Sequence, residues 1–200
     1  MCPGGFIVPA ATASGEVVVN GMSPSRRNNK FANSGIVVEI NIDKDIPKYD
    51  QFGPLKGLEY QKNLERLAFT AGGRTQTAPA QRLVDFVDGK LSSNLNETSY
   101  QPGLNSAPMH SLLPKLIGSR LRKGFEAFGR KMHGYYTNEA NIVGVESRTS
   151  SPVNIPRKEN LEHPEIKGLF PCGEGGGYAG GIVSAAMDGE RCAEAAIELL

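Results

Sequence analysis

The residues of this chain best suited to chemistry lie in the run Gly168-Leu-Phe-Pro-Cys-Gly-Glu-Gly-Gly-Gly-Tyr-Ala-Gly-Gly-Ile182. An apolar segment expected as a strand enters a glycine-dense turn, and an expected helix leaves it. Turn residues without side chains let backbone N–H groups come close to a ligand. The first amides of a helix lack an intrahelical acceptor and sit at the positive end of its dipole, so the pattern is suited to holding an anion. Gly175, Gly177 and Gly180 fit the fingerprint G-x-G-x-x-G. A nucleotide-binding βαβ unit also needs a second strand after the helix and an acid about 20 positions on. With Leu200 the last residue, the expectation is a loop serving a ligand whose other contacts lie elsewhere.

The helix that must hold those amides carries Ile182, Ala185, Ala186, Gly189, Ala193, Ala196, Ile197 and Leu200 on one side, with Asp188, Glu190, Arg191, Glu194 and Glu198 assigned to the other. Small side chains on the first face let a helix lie close against a sheet and fix its N-terminus. Further upstream, Phe6–Ala11, Gly15–Asn20 and Gly35–Ile42 read as strands of an antiparallel patch. The polar loop Asn20–Lys30 carries Arg26 and Arg27, which face either a ligand carboxylate or solvent. From Pro54 the spacing becomes helical through Leu58, Leu64, Leu67 and Ala68, and stops at Gly72-Gly73. A short helix Ala80–Val87, an irregular connection Asn94–Pro108, an amphipathic helix Pro114–His133 and a strand Ile142–Glu146 follow.

The chain has 22 basic and 21 acidic residues, so no overall field favours nucleic acid or an anionic membrane. No apolar run approaches the roughly 20 residues of a membrane span, and the start lacks the pattern of a signal peptide; a cytoplasmic location is the expectation. Three cysteines without metal-ligand spacing argue for reduced thiols, with Cys172 and Cys192 packed in the interior and Cys2 open between a reactive and an incidental thiol. The outer face of Pro114–His133 bears Lys115, Arg120, Arg122, Lys123, Arg130 and Lys131 against Glu126, which is either a solvated face or a contact for phosphate, RNA or an acidic protein. His110, His133 and His163 are too scattered to form a nucleophilic or zinc constellation.

The run from Gly168 to Gly189 resembles the C-terminal flavin-binding motif of flavoproteins with two dinucleotide-binding domains, and it is most similar to a family of uncharacterised FAD-dependent dehydrogenases. Three more segments resemble that family in the same order: Met1-Cys-Pro-Gly-Gly5, Asn20-Gly-Met-Ser23 with Asn33-Ser34, and Glu146-Ser-Arg-Thr-Ser-Ser-Pro-Val-Asn-Ile155. The resemblance implies that Gly173 and Glu174 match the Gly-acid pair whose carboxylate, usually an Asp, holds the ribityl chain of FAD. It further implies that Gly180, Gly181 and Ile182 present backbone near the flavin ring, with Gly175, Tyr178 and Ala179 completing the cofactor-binding set. Gly176 stands where the family usually has Ala, and Asn154 where it usually has Arg, which removes an anion contact.

Arg148 could grip a substrate carboxylate, aided by Thr149, Ser150 and Ser151, with Arg26 a further candidate; the other reading is a turn with capping hydroxyls. No metal site and no catalytic acid or base is assigned, because a flavin would itself carry hydride chemistry. The implied fold class is α+β, a partial α/β flavoprotein fold. Residues 1–40 and 142–200 form β-rich ends packed together, and 41–141 is a mostly helical inserted substrate or cap domain. No ADP-binding G-x-G-x-x-G precedes Gly168. The chain is therefore expected to be the C-terminal part of an FAD-dependent oxidoreductase, silent alone, with the missing N-terminal FAD-binding region as its partner and a small molecule as its substrate. The alternative is a non-enzymatic module that binds RNA or an acidic protein through the helix N-terminus and the basic face.

Overall fold

The computed structural model describes residues 2–199, Cys2 by its backbone alone, so the expectation for its thiol lies outside the described residues. The fold is α+β, divided into two compact units: residues 2–45 with Lys62–Ser147, and Ile46–Gln61 with residues 148–199.

In the first unit, β1 (Cys2–Pro3) pairs antiparallel with β4 (Ala32–Asn33), and β2 (Phe6–Pro9) pairs antiparallel with β3 (Val19–Met22), Phe6 opposite Met22. Val17 and Val18 are buried but lie ahead of β3, since the Val17 N–H donates to the Glu65 carbonyl at 3.1 Å. The strand expected over Gly35–Ile42 does not form. Its end turns instead into α1 (Ile42–Asp45), where Asn41 Oδ1 accepts the N–H groups of Asp43 and Lys44 at 3.1 and 3.2 Å. Asp45 accepts the Asn41 N–H in return, so local capping prevails over the β-preference of the Val-Val-Glu-Ile run.

A three-stranded sheet has β5 (Ala78–Arg82) at its centre, parallel to β6 (Leu104–Ser106) and antiparallel to β7 (Asn141–Val143). The sheet takes the start of the helix expected from Ala80, which begins instead at α3 (Leu83–Asp88). Asn138 Oδ1 caps its first amides, Val84 and Asp85, and Gly89 ends it in the left-handed region with φ 71°. The expected long helices appear as α2 (Lys56–Ala71) and α5 (Lys115–Lys131), with α4 (Met109–Leu112) between them in sequence.

Two apolar clusters hold this unit. One gathers Val17, Val19, Ala68, Ala78, Tyr100 and Val145. The other gathers Leu83, Phe86, Met109 and Phe125, with the two phenyl rings edge to face at 6.0 Å.

The second unit comprises a 3-10 segment Pro47–Leu55, the beginning of α2, an irregular chain from Arg148 and the expected terminal helix α6 (Ile182–Ile197). Residues 168–172 do not form the expected strand. A strand needs a neighbour for its N–H and C=O groups, and among the described residues this unit contains no other strand. Cys172 is consequently exposed rather than packed, whereas Cys192 is buried as expected.

Candidate functional site

The glycine run folds into a compact turn. Gly173 lies at φ 66° and Gly177 at φ 84°; the Gly177 N–H donates to the Glu174 carbonyl at 2.9 Å, and the Tyr178 N–H to the Gly173 carbonyl at 3.0 Å. The segment before Arg157 runs beside it: Ile155 N–H donates to the Gly176 carbonyl, and Asn154 Nδ2 to that of Gly177. Gly181 caps α6 with its N–H on Ser184 Oγ at 3.1 Å, and that hydroxyl returns a bond to the Gly181 carbonyl.

The glycines divide by what their Cβ would meet. At Gly177 it would lie 2.8 Å from the Val153 carbonyl oxygen and 2.9 Å from Asn154 Nδ2, and at Gly176 3.1 Å from the Cys172 backbone. Gly177, with its positive φ, is required by packing within the chain, whereas a Cβ at Gly176 asks its neighbours to give by a few tenths of an ångström. At Gly175 and Gly180 nothing lies within 4 Å, and neither has a positive φ. The chain's own packing and backbone shape therefore do not require glycine at those two positions.

Below the turn lies an ion pair. Arg157 forks onto Asp188, Nη2 to Oδ1 at 2.8 Å and Nη1 to Oδ2 at 3.0 Å, with both side chains almost fully buried. Asp188 Oδ2 also accepts the Gly173 N–H at 2.9 Å, and Arg157 Nη1 donates to the Pro171 carbonyl at 2.9 Å. The guanidinium carbon lies 3.6 Å from the centroid of the Tyr178 ring, whose hydroxyl donates to the Ile155 carbonyl. Hydrogen bonds from Arg157, then from the Gly173 N–H, hold the Asp188 carboxyl down at about 2. Burial pushes the neighbouring Cys192 thiol up.

Asp188 corrects the helix face expected from sequence. It is buried with Cys192, while Ile182, Val183, Met187 and Ile197 are exposed, Ile182 at 92%. Sequence reasoning put Asp188 with the solvent-facing charges and gave Arg157 no role. The signal was available, since Ala185, Asp188, Cys192 and Ala196 follow the three- and four-residue spacing of one helical stripe.

Of the other residues singled out, Glu174, Gly175, Gly180, Gly181 and Ile182 are exposed, and Tyr178 and Ala179 half-buried. Ser151 joins the turn: its hydroxyl bonds the Val153 carbonyl at 2.7 Å and reaches the Gly175 carbonyl at 3.4 Å. Ser150 is exposed, and Arg148 is half-buried and engaged within the chain. Arg26 is exposed and belongs to the other unit. On α5, Arg120 donates to the Glu39 carbonyl, and Arg122 lies over the Phe86 ring, so two of the six bases are used internally.

In the first unit, the other motif segments serve one another. A Cβ at Gly4 would lie 2.1 Å from the Arg27 backbone, at Gly21 2.8 Å from Asn33 Oδ1, and at Gly35 2.9 Å from Glu146 Oε2. Asn33 Nδ2 donates to the carbonyls of Phe6 and Met22, stitching β4 to the β2–β3 pair. Burial pushes the Glu146 carboxyl up.

This packed α+β unit belongs to the FAD-dependent class of proteins. The chain is a member of the family described as FAD-dependent protein, C-terminal domain-like, which matches residues 1–149. It is similar to an uncharacterised protein of Clostridium beijerinckii, 40% identical over 200 residues that cover 99% of this chain and 37% of that protein. The family match ends close to the last residue of the first unit, Ser147, so the glycine turn and α6 lie beyond it but within the match to the relative. Among the described residues no helix is long and apolar enough to cross a membrane.

Proposed function

We propose that this chain contributes the flavin-ring side of an FAD site in a longer oxidoreductase, and that the remainder of that polypeptide supplies the ADP-binding half. The observation that carries the reading is the pair Gly175 and Gly180: glycine stands at both, with open space beyond the absent Cβ and no backbone need for it. An external group approaching the main chain accounts for both. The first amides of α6 have no intrahelical acceptor and lie at the positive end of its dipole. The residues fit a flavin ring, since amides at the start of α6 would stabilise the negative charge such a ring carries when reduced, and the turn has no lysine of the kind that P-loop phosphate cradles use.

In this reading Gly175, Gly180, Gly181 and Ile182 present backbone to the ring, Tyr178 and Ala179 border it, and Glu174, exposed beside the turn, accepts from ribityl hydroxyls. FAD, when bound, supplies the hydride chemistry. Arg148, Ser150 and Ser151 orient a substrate carboxylate, and the exposed apolar face of α6 around Val183, Met187 and Ile197 is covered by the rest of the longer polypeptide. Family membership and the 37% share of the relative support this arrangement.

The test is a chimera in which this chain replaces the matching stretch of the Clostridium beijerinckii protein. Gly180→Val should reduce bound FAD at least about tenfold by occupying the approach, while Gly180→Ala should leave the melting temperature of the isolated 200-residue chain unchanged because an added Cβ meets no atom within 4 Å. Full retention of FAD by the Gly180→Val chimera would remove the reading.

A further inference from the structure

We infer that Arg157 and Asp188 are positioning residues that fix the shape of the glycine turn, a role that deepens the flavin-site reading and rests on it for its consequence at the cofactor. The geometry forms a closed circuit. Gly173 opens the turn and gives its N–H to Asp188 Oδ2 at 2.9 Å. Asp188 is forked by Arg157, Arg157 lies against the Tyr178 ring at 3.6 Å, and the Tyr178 N–H returns to the Gly173 carbonyl at 3.0 Å. Both ends of the turn are thus tied to one ion pair. The same guanidinium holds the Pro171 carbonyl, two residues ahead of the turn, and Asp188 lies on α6, so the approach, the turn and the helix share one anchor.

An apolar core does not do this work here. Among the described residues of α6 only Asp188 and Cys192 are buried, and the helix exposes its larger apolar side chains. A planar fork that stacks on an aromatic ring is particular to Arg: a Lys would keep the charge and lose both the second hydrogen bond and the stacking. None of the circuit's side chains occupies the open space beyond Gly175 and Gly180. The pair acts through the turn and not by touching what lies there.

Arg157→Lys separates this role from general stabilisation, with two readouts. In the 200-residue chain, amide exchange followed by nitrogen-15 NMR should accelerate at least tenfold at Gly173, Gly177 and Tyr178, while amides in the middle of α6 keep their protection. In the chimera described above, carrying FAD, the same substitution should make the flavin midpoint potential more negative, as loosened amides stabilise negative charge on the ring less well. Unchanged exchange at the three turn amides, or acceleration shared equally by all of α6, would overturn the positioning role. A chimera without flavin would overturn the cofactor reading alone and leave the exchange result to decide the clamp. A yellow chimera whose potential is unmoved by Arg157→Lys would overturn the consequence at the cofactor.

Discussion

Asp188 gives the second unit its pH dependence. Its carboxyl titrates at about 2 in the folded chain against an ordinary 3.8, because Arg157 and then the Gly173 N–H bond the charged form. A lowered carboxyl pKa adds stability that is complete above the unfolded value and is lost as pH falls through the folded one. The window therefore runs from just below 3.8 down to about 2, and the contribution is on the order of 2 kcal/mol. Near-ultraviolet circular dichroism of Tyr178 and its neighbours, followed against denaturant at stepped pH, should register that decline. Asp188→Asn should remove the decline and lower the stability of this unit at neutral pH by roughly 3 kcal/mol, since it leaves the Arg157 charge buried without its counter-ion. An unaltered acid profile in the variant would contradict the pairing.

At the scale of elements, the glycine turn is divided between positions that the chain needs and positions that it does not. Gly177→Ala forces a side chain into φ 84° and to within 2.8 Å of the Val153 carbonyl, and is expected to cost about 1–3 kcal/mol. Gly175→Ala meets nothing, and should stay within about 0.5 kcal/mol of the parent. Urea unfolding of the three proteins, read by the same tyrosine signal, checks the contrast; equal losses would contradict it.

What the sequence made legible follows the same physics. The helices α2 and α5 were readable because a 3.6-residue stripe is written in the helix itself, and α6 was readable as a helix although not by its inward face. The strands expected over Gly35–Ile42 and through Cys172 were not, because a strand is fixed by a partner that its own residues do not specify. Ala80 to Arg82 went to the sheet for the converse reason, since β6 and β7 supply partners from distant sequence. The glycine turn was legible as a turn. Its anchor was missed because a charged residue on a helix is most often solvated, and only the stripe containing Ala185, Asp188 and Cys192 marked this one as inward-facing.

At the scale of the molecule, the two units are stabilised differently. The first has two apolar clusters and the stitched motif segments, and it carries most of the family match. The second holds the buried Arg157–Asp188 ion pair and a helix whose large apolar side chains meet solvent. That asymmetry is consistent with the proposal that further polypeptide covers α6 and completes the ligand site, and the chain spans 37% of its relative's length. The most direct measurement of the central claim is FAD binding by the 200-residue chain and by the chimera with the remainder of the Clostridium beijerinckii protein, followed by visible absorbance and equilibrium titration. The chimera is expected to purify yellow with bound FAD and the isolated chain to bind weakly or not at all. A folded, colourless chimera that takes up no added FAD would contradict the account.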